Sequence, residues 1–210
     1  VAWRSRVRRY LYRPFDYRHV YWTHTMVDWP RPDLERHMSA GDQLALCITR
    51  FNRQQSTGYF FVTRVMADFH LLDTAGDSMS LFPLRVAAED ELDLGVHLRG
   101  VNLAPAFAKA LAQALGVRVS ANGMPENVAA EDVAAYAYAV FHSPSYRKRY
   151  AEYLKIEFPR LPLPGGKELF RELVSIGKEL MALHLMESPK LEELSTSYEG
   201  PKNPPVERVG

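Results

Sequence analysis

The chain of 210 residues has a single cysteine, Cys47. An internal disulfide and a cysteine metal cluster are therefore both excluded. No apolar run approaches the length of a membrane span. The opening Val1 to Arg9 lacks the apolar stretch of a secretory signal, so a cytoplasmic setting without a membrane is expected. The first residue is not Met and the last residues form a polar, Pro-containing tail; the expectation is a piece of a longer polypeptide. HExxH, Gly-x-Ser-x-Gly, P-loop and dinucleotide fingerprints are all missing, as are internal repeats.

Lysine is missing too, from the first third. Residues 1–64 hold 11 Arg, no Lys and 5 acidic residues, a balance of +6. Residues 65–145 hold 4 basic and 10 acidic residues, a balance of −6. Residues 146–210 return to +1. An all-arginine basic third beside an acidic middle points either to one face that meets an anion or to charges scattered over a solvated surface. What is present otherwise is ordinary for a globular protein, with 47% apolar and 24% charged residues.

Strand signals dominate the first part. Arg6 to Tyr12 and Arg18 to Trp22 flank a turn at Pro14-Phe15-Asp16. Pro32 to Met38 reads as a short helix with Asp33 and Glu35 in its first turn. Gly41-Asp42 is a turn. Leu44 to Phe51, Tyr59 to Met66, Phe69 to Leu72 and Ser80 to Val86 read as strands, with Pro83 assigning the last to an edge or bulge. Ala88 to Gly100 is acidic and reads as an exposed loop. Leu103 to Leu115 is helical and stopped by Gly116, and Asn122-Gly123-Met124-Pro125 is a linker.

The helical block follows. Val133, Tyr136, Ala137, Val140 and Phe141 give one helix an apolar face. Ser143-Pro144 breaks and restarts the helix, Ser as cap and Pro at the first position. Tyr146, Tyr150 and Tyr153 recur at helical spacing, where core packing is expected rather than stacking on bases. Pro159, Pro162 and Pro164 force an extended strap, read as packed between helices. After Gly165-Gly166 a helix carries Leu169, Leu173, Ile176, Leu180 and Leu183, with Phe170, Val174, Met181 and Leu185 beside them, a stripe wide enough to bury against a domain rather than one partner helix. The fold class is α+β: a strand-rich part over 1–120, a helical block over 121–194 and a disordered tail over 195–210.

No catalytic centre emerges. Asp68, His70 and Asp73 cluster, but alternation along a strand explains Asp68 and His70 on its polar face. Asn203-Pro204-Pro205-Val206 is similar to the tetrapeptide of adenine amino methyltransferases, yet it follows no strand and Val stands where an aromatic residue would hold the base. No metal site is expected. The loop Thr49 to Gly58 is different, because it joins two strand signals and offers Arg50, Asn52, Arg53, Gln54, Gln55 and Ser56. Arg pairs two donors with guanine, and Asn or Gln pairs donor and acceptor with adenine. Hydroxyls hold phosphates. By itself this loop reads as a polar hairpin connection, since loops are polar anyway.

The block Ala137-Tyr-Ala-Val-Phe-His-Ser-Pro-Ser-Tyr-Arg-Lys-Arg-Tyr150, continuing through Phe158-Pro-Arg-Leu-Pro-Leu-Pro164 to Leu185, resembles the C-terminal specificity domain of type ISP restriction-modification enzymes and related DNA methyltransferases. Tyr12-Arg13-Pro14-Phe15-Asp16 and Leu81-Phe82-Pro83-Leu84 resemble the same family. The resemblance spans roughly Arg8 to Leu185. It implies a target-recognition domain that binds double-stranded DNA, with the 49–58 loop on its DNA face. Arg13, Arg18 and Arg64 are then candidates for backbone contacts, joined by Arg147 and Lys148 from the helical block. It also implies an upstream methyltransferase domain on the same polypeptide, with helicase-like and nuclease domains beyond it. Those domains would take S-adenosylmethionine, ATP and Mg, with no cofactor in this fragment. A protein-interaction module that reads no DNA is the alternative. A self-contained enzyme built from scattered Asp and His residues is the third reading.

Overall fold

The computed structural model describes residues 3–28, 30–39, 43–50, 60–72, 79–87, 99–193, 196–197 and 199–202. The turn expected at Gly41-Asp42 and the tetrapeptide Asn203 to Val206 lie outside them.

A three-stranded antiparallel sheet forms the middle layer: β3 (Ala45–Thr49) in the centre, β4 (Phe60–Thr63) on one side and β5 (Met79–Pro83) on the other. Side chains alternate across a strand, and here both faces are covered. Leu46, Ile48, Phe60 and Val62 point into the main core with the helices. Cys47, Phe61 and Met79 point the other way, into a second core with Leu11 and Leu71. The register pairs like with like, Leu46 with Val62 and Cys47 with Phe61.

The second core is roofed by a two-stranded ribbon, β1 (Val7–Arg13) and β2 (Asp16–Tyr21), turned at Pro14-Phe15 as the sequence indicates. Phe15 takes a left-handed φ of 66°, and its ring stands edge-on to Phe61 at 5.3 Å. Leu11 fixes the ribbon, exchanging backbone hydrogen bonds with Met66 and Asp68. Phe69 to Leu72 is not a strand. Asp68 turns the chain there: its Oδ1 accepts from the His70 N–H (2.9 Å) and its carbonyl from the Leu71 N–H. A side chain that offers the backbone a local partner competes with the ladder.

Ser80 to Val86 is two strands rather than one. Pro83 ends β5 on the sheet edge, as its missing N–H demands. The chain then pairs as β6 (Arg85–Ala87) with β7 (Arg99–Val101), so the last two residues of the expected 88–100 loop are strand. Residues 88–98 lie outside the described part. The buried Gln43 ties α1 (Pro32–Ser39) to β6: its Nε2 donates to the carbonyls of His37 and Arg85.

The helical layer holds α2 (Pro105–Leu115), α3 (Ala130–His142), the short α4 (Pro144–Arg149) and α5 (Ala151–Leu154), and α6 (Lys167–His184). Pro105 opens α2, and Gly116 closes it at φ 65°. Leu111 and Leu115 of α2 join the main core. Residues 122–125 do more than link. Val119 bridges Pro125, and Met124 is buried. Helix α3 has no polar face over its middle, for every residue from Val133 to Phe141 is buried. The Asp132 carboxylate accepts the Ala129 N–H at its start. Ser143 Oγ caps α4 through the Tyr146 N–H (3.5 Å).

The proline strap lies across this layer. Tyr136 donates its hydroxyl to the Pro162 carbonyl (2.9 Å) and Tyr146 to that of Arg160 (2.8 Å). Two buried phenols thus satisfy carbonyls that an extended proline segment cannot pair by itself. Tyr146 is core, as expected, whereas Tyr150 lies exposed against its ring at 4.8 Å. Helix α6 buries Phe170, Val174, Gly177 and Met181. Leu169 and Ile176, assigned to the buried face by sequence, are 47% and 57% exposed.

Candidate nucleic-acid interface

The ribbon carries arginines on both of its faces. Residues of β1 and β2 alternate outward, placing Arg8 opposite Val20, Arg9 opposite His19 and Tyr10 opposite Arg18. Tyr12 holds the guanidiniums of Arg18 at 3.9 Å and Arg13 at 4.2 Å from its ring centre, and Arg9 lies 3.9 Å over Tyr17. Aromatic faces hold guanidiniums in place while leaving donors outward.

Two arginines proposed from sequence are already engaged here. Arg13 Nη1 donates to Asp68 Oδ1 (3.1 Å) and to the Tyr12 carbonyl (2.7 Å). Tyr10 donates to the other oxygen of Asp68 (3.2 Å), and burial raises its phenol beyond the ordinary range. Arg18 makes a forked contact to Asp16, Nη2 to Oδ2 at 2.8 Å, which holds that carboxyl below its usual range. Towards the open end of the ribbon the situation changes. Arg4, Arg6, Arg8 and Arg9 are exposed and have no carboxylate partner among the described residues. Sequence reasoning misses these four. The available signal is the run Arg4-Ser-Arg-Val-Arg-Arg9 within the all-arginine third; Arg4 and Arg6 lie in a short 3-10 turn before β1, and only Arg8 and Arg9 are divided between the strand's two faces.

The second group frames the mouth of the β3–β4 connection. Ile48 pairs with Phe60 at that end of the sheet. Arg50 follows β3, with Nε 3.3 Å from Glu157 Oε1 and its guanidinium 6.0 Å from the Phe158 ring. The Glu157 carboxyl is held below its usual range, first by the Phe158 N–H and then by Arg50. Arg147 reaches from α4 over the Phe60 ring at 5.9 Å and donates Nε–H to the Phe141 carbonyl (2.9 Å). Lys148 is exposed. Asn52, Arg53, Gln54, Gln55 and Ser56 lie outside the described residues. Arg64 belongs to neither group: it follows the far end of β4 and grips both oxygens of Glu187, at 2.6 and 3.0 Å.

No set of three His, Cys, Asp or Glu side chains among the described residues could hold a metal. The most suggestive polar cluster is a packing unit. Tyr138 OH lies 2.5 Å from His184 Nδ1, and His142 Nδ1 lies 2.8 Å from the Tyr138 carbonyl. His184 stacks on Phe61 at 5.4 Å. Burial pushes His142 down to about 4 and lowers His184 as well, so both stay neutral near pH 7. Burial alone drives the Cys47 thiol up, away from the reactive thiolate. No helix among the described residues is long and apolar enough to cross a membrane.

Solved structures share this fold. The DrdV–DNA complex matches 94% of this chain and 18% of its own, at 23% identity and a TM-score of 0.69. The ATP-dependent type ISP restriction-modification enzyme LlaBIII bound to DNA matches 86% of this chain and 11% of its own, at 26% identity and 0.63. A nuclease-deletion mutant of the type ISP enzyme LlaGI, with a DNA substrate mimic, matches 86% and 14%, at 23% identity and 0.60. The chain thus spans under a fifth of each of these polypeptides. No curated protein matches it. The type ISP C-terminal specificity domain model matches residues 1–210. With the layered fold and the arginine-bearing ribbon in place, that match over the full length makes this chain a member of the type ISP C-terminal specificity domain family.

Proposed function

We propose that this chain is the DNA target-recognition domain of a restriction-modification enzyme, binding double-stranded DNA sequence-specifically so that other domains methylate adenine and cleave. Beside the family membership, the observation that carries this reading is the open end of the ribbon: Arg4, Arg6, Arg8 and Arg9, exposed and without carboxylate partners among the described residues. Guanidiniums free of carboxylates are what phosphate contact needs, since each phosphate neutralised releases counterions. The second group supports a division of labour. Arg50 stands at the mouth of the loop whose Asn52 to Ser56 have base-edge chemistry, while the ribbon supplies charge that every sequence shares. The solved neighbours bound to DNA are consistent with this. An upstream methyltransferase domain on the same polypeptide, taking S-adenosylmethionine, and ATP- and Mg-using motor and nuclease domains belong to the same proposal. This chain supplies site choice.

The test is a binding titration over a salt series, with duplexes drawn from a random-sequence pool and enriched by selection. The reading expects one enriched motif and a steep fall of affinity with salt. Arg6→Ala and Arg8→Ala should each lower the salt slope by about one on every sequence. Salt-insensitive binding, or no enriched motif, would move the protein-interaction reading ahead.

A further inference from the structure

Helix α6 has more apolar surface than the described residues cover. Its buried edge is Phe170, Val174, Gly177 and Met181. Beside it runs a second line: Leu169, Leu173, Ile176, Leu180 and Leu183, spaced by four, three, four and three residues. That is the spacing of a coiled-coil seam. At 1.5 Å per residue the line is about 21 Å long. Leu169 and Ile176 are 47% and 57% exposed, Leu183 is half-buried, and Leu173 and Leu180 are half-buried with one side packed against the main core. The outer margin of the seam carries Glu172 and Glu179, one position before Leu173 and Leu180. Glu179 is already tied to Lys190.

We infer that this seam docks an amphipathic helix from elsewhere in the longer polypeptide that carries this domain, a helix with apolar residues at seam spacing and Lys or Arg facing Glu172. The inference rests on the reading of the chain as one domain of a larger enzyme. Two observations choose that occupant. The similar folds in solved enzymes make up 11% to 18% of their chains, so several times this length of polypeptide is at hand to cover the seam. The acidic margin argues against a second copy, because two seams of this kind set face to face bring carboxylates together. It argues against DNA for the same reason.

Cysteine scanning tests this without DNA, so its outcome is separate from that of the binding titration. Ile176→Cys sits on the seam, and Ser175→Cys sits on the polar face one residue away. Cys47 is fully buried and serves as an internal control for folding. Thiol modification is followed by mass spectrometry of the α6 peptide, in this 210-residue chain and in the longer polypeptide. The expected result is fast labelling of both new thiols in the short chain. In the long polypeptide the thiol of Ile176→Cys should slow at least tenfold, while that of Ser175→Cys keeps its rate. Equal rates for the Ile176→Cys thiol in both forms would overturn the proposal. Concentration-dependent protection in the short chain would overturn it in favour of a dimer. Should Ile176→Cys expose Cys47, Leu169→Cys repeats the measurement one heptad away.

Discussion

Gly177 of α6 lies directly against the backbone of Ala135 in α3. A Cβ built at Gly177 would stand 2.6 Å from the Ala135 carbonyl carbon and closer still to its oxygen. Both are backbone atoms, so no side-chain rotation relieves the clash. The two helices approach at this point as only glycine allows.

Gly177→Ala therefore has a decided sign. On an open helix the change would stabilise by about 1 kcal/mol through helix propensity. Here it forces α3 and α6 apart and is expected to cost about 1–3 kcal/mol net, or more. A denaturant midpoint that rises instead would mean that the helices do not touch at this residue.

That contact also shows what the sequence conceals. The 4-3-4-3 line from Leu169 to Leu183 and the line of Phe170, Val174 and Met181 beside it form one wide apolar stripe on α6, so all of it reads as buried. The helix buries only one edge of it fully, because Phe170, Val174 and Met181 flank the glycine that lets α3 approach; Leu173 and Leu180 pack partly against the core, and Leu169 and Ile176 stay exposed. Spacing reveals an apolar stripe but not which edge of it meets the domain. The ribbon, α1, the cap at Ser143 and the strap are legible because Pro, Ser and alternation act locally. The turn at Asp68 is not, because Phe69-His-Leu-Leu72 has strand composition and only the carboxylate's bond to the His70 N–H redirects it. On the candidate interface, the arginine excess of the first third is legible as charge. Which guanidiniums are spent on carboxylates is not, because Asp68 and Glu187 reach Arg13 and Arg64 only through the fold.

The histidine pair makes stability depend on pH above the carboxylate range. His142 is held down to about 4 in the fold, against an unfolded value near 6.5. A base with a depressed folded pKa lets the unfolded chain bind the proton first. Stability is thus full above about pH 6.5, falls as pH drops towards 4, and levels off below that as far as this group is concerned. His184, lowered in the same direction, adds to the slope. Denaturation midpoints at about pH 7, 5.5 and 4.5 should decline, and His142→Gln should flatten the decline. An unchanged slope would place the proton elsewhere.

Arg147 and Lys148 are neighbours with different duties. The Arg147 Nε–H satisfies the Phe141 carbonyl at the end of α3, where the helix offers no partner of its own. Arg147→Ala should lower stability by roughly 1.5–3 kcal/mol, the range for a charged hydrogen bond. Lys148→Ala should leave the unfolding midpoint within error and reduce the salt slope of DNA binding by about one. Equal effects of the two on stability would contradict this division.

On the proposed reading, Glu157 would compete with DNA for Arg50. Their contact is exposed, at 57% and 41% of the side chains, so it contributes little to the fold. Glu157→Gln removes a negative charge beside the loop mouth and releases the guanidinium. Binding to the selected duplex should tighten several-fold at low salt, with the unfolding midpoint unchanged. Weaker binding would show that Glu157 positions Arg50 for its base.

The central sheet has a consequence for how such a domain changes over time. β3 presents Leu46 and Ile48 to one core and Cys47 to the other, and Ala45, Cys47 and Thr49 are all but fully buried. A strand with no water-facing side has no neutral positions, and slipping it by one residue would exchange the contents of both cores at once. Inheritance can therefore experiment only at its ends. The segment after Thr49 lies at one of them; on the proposed reading, a new target sequence would be acquired by rewriting that segment beside a strand that has to stay the same.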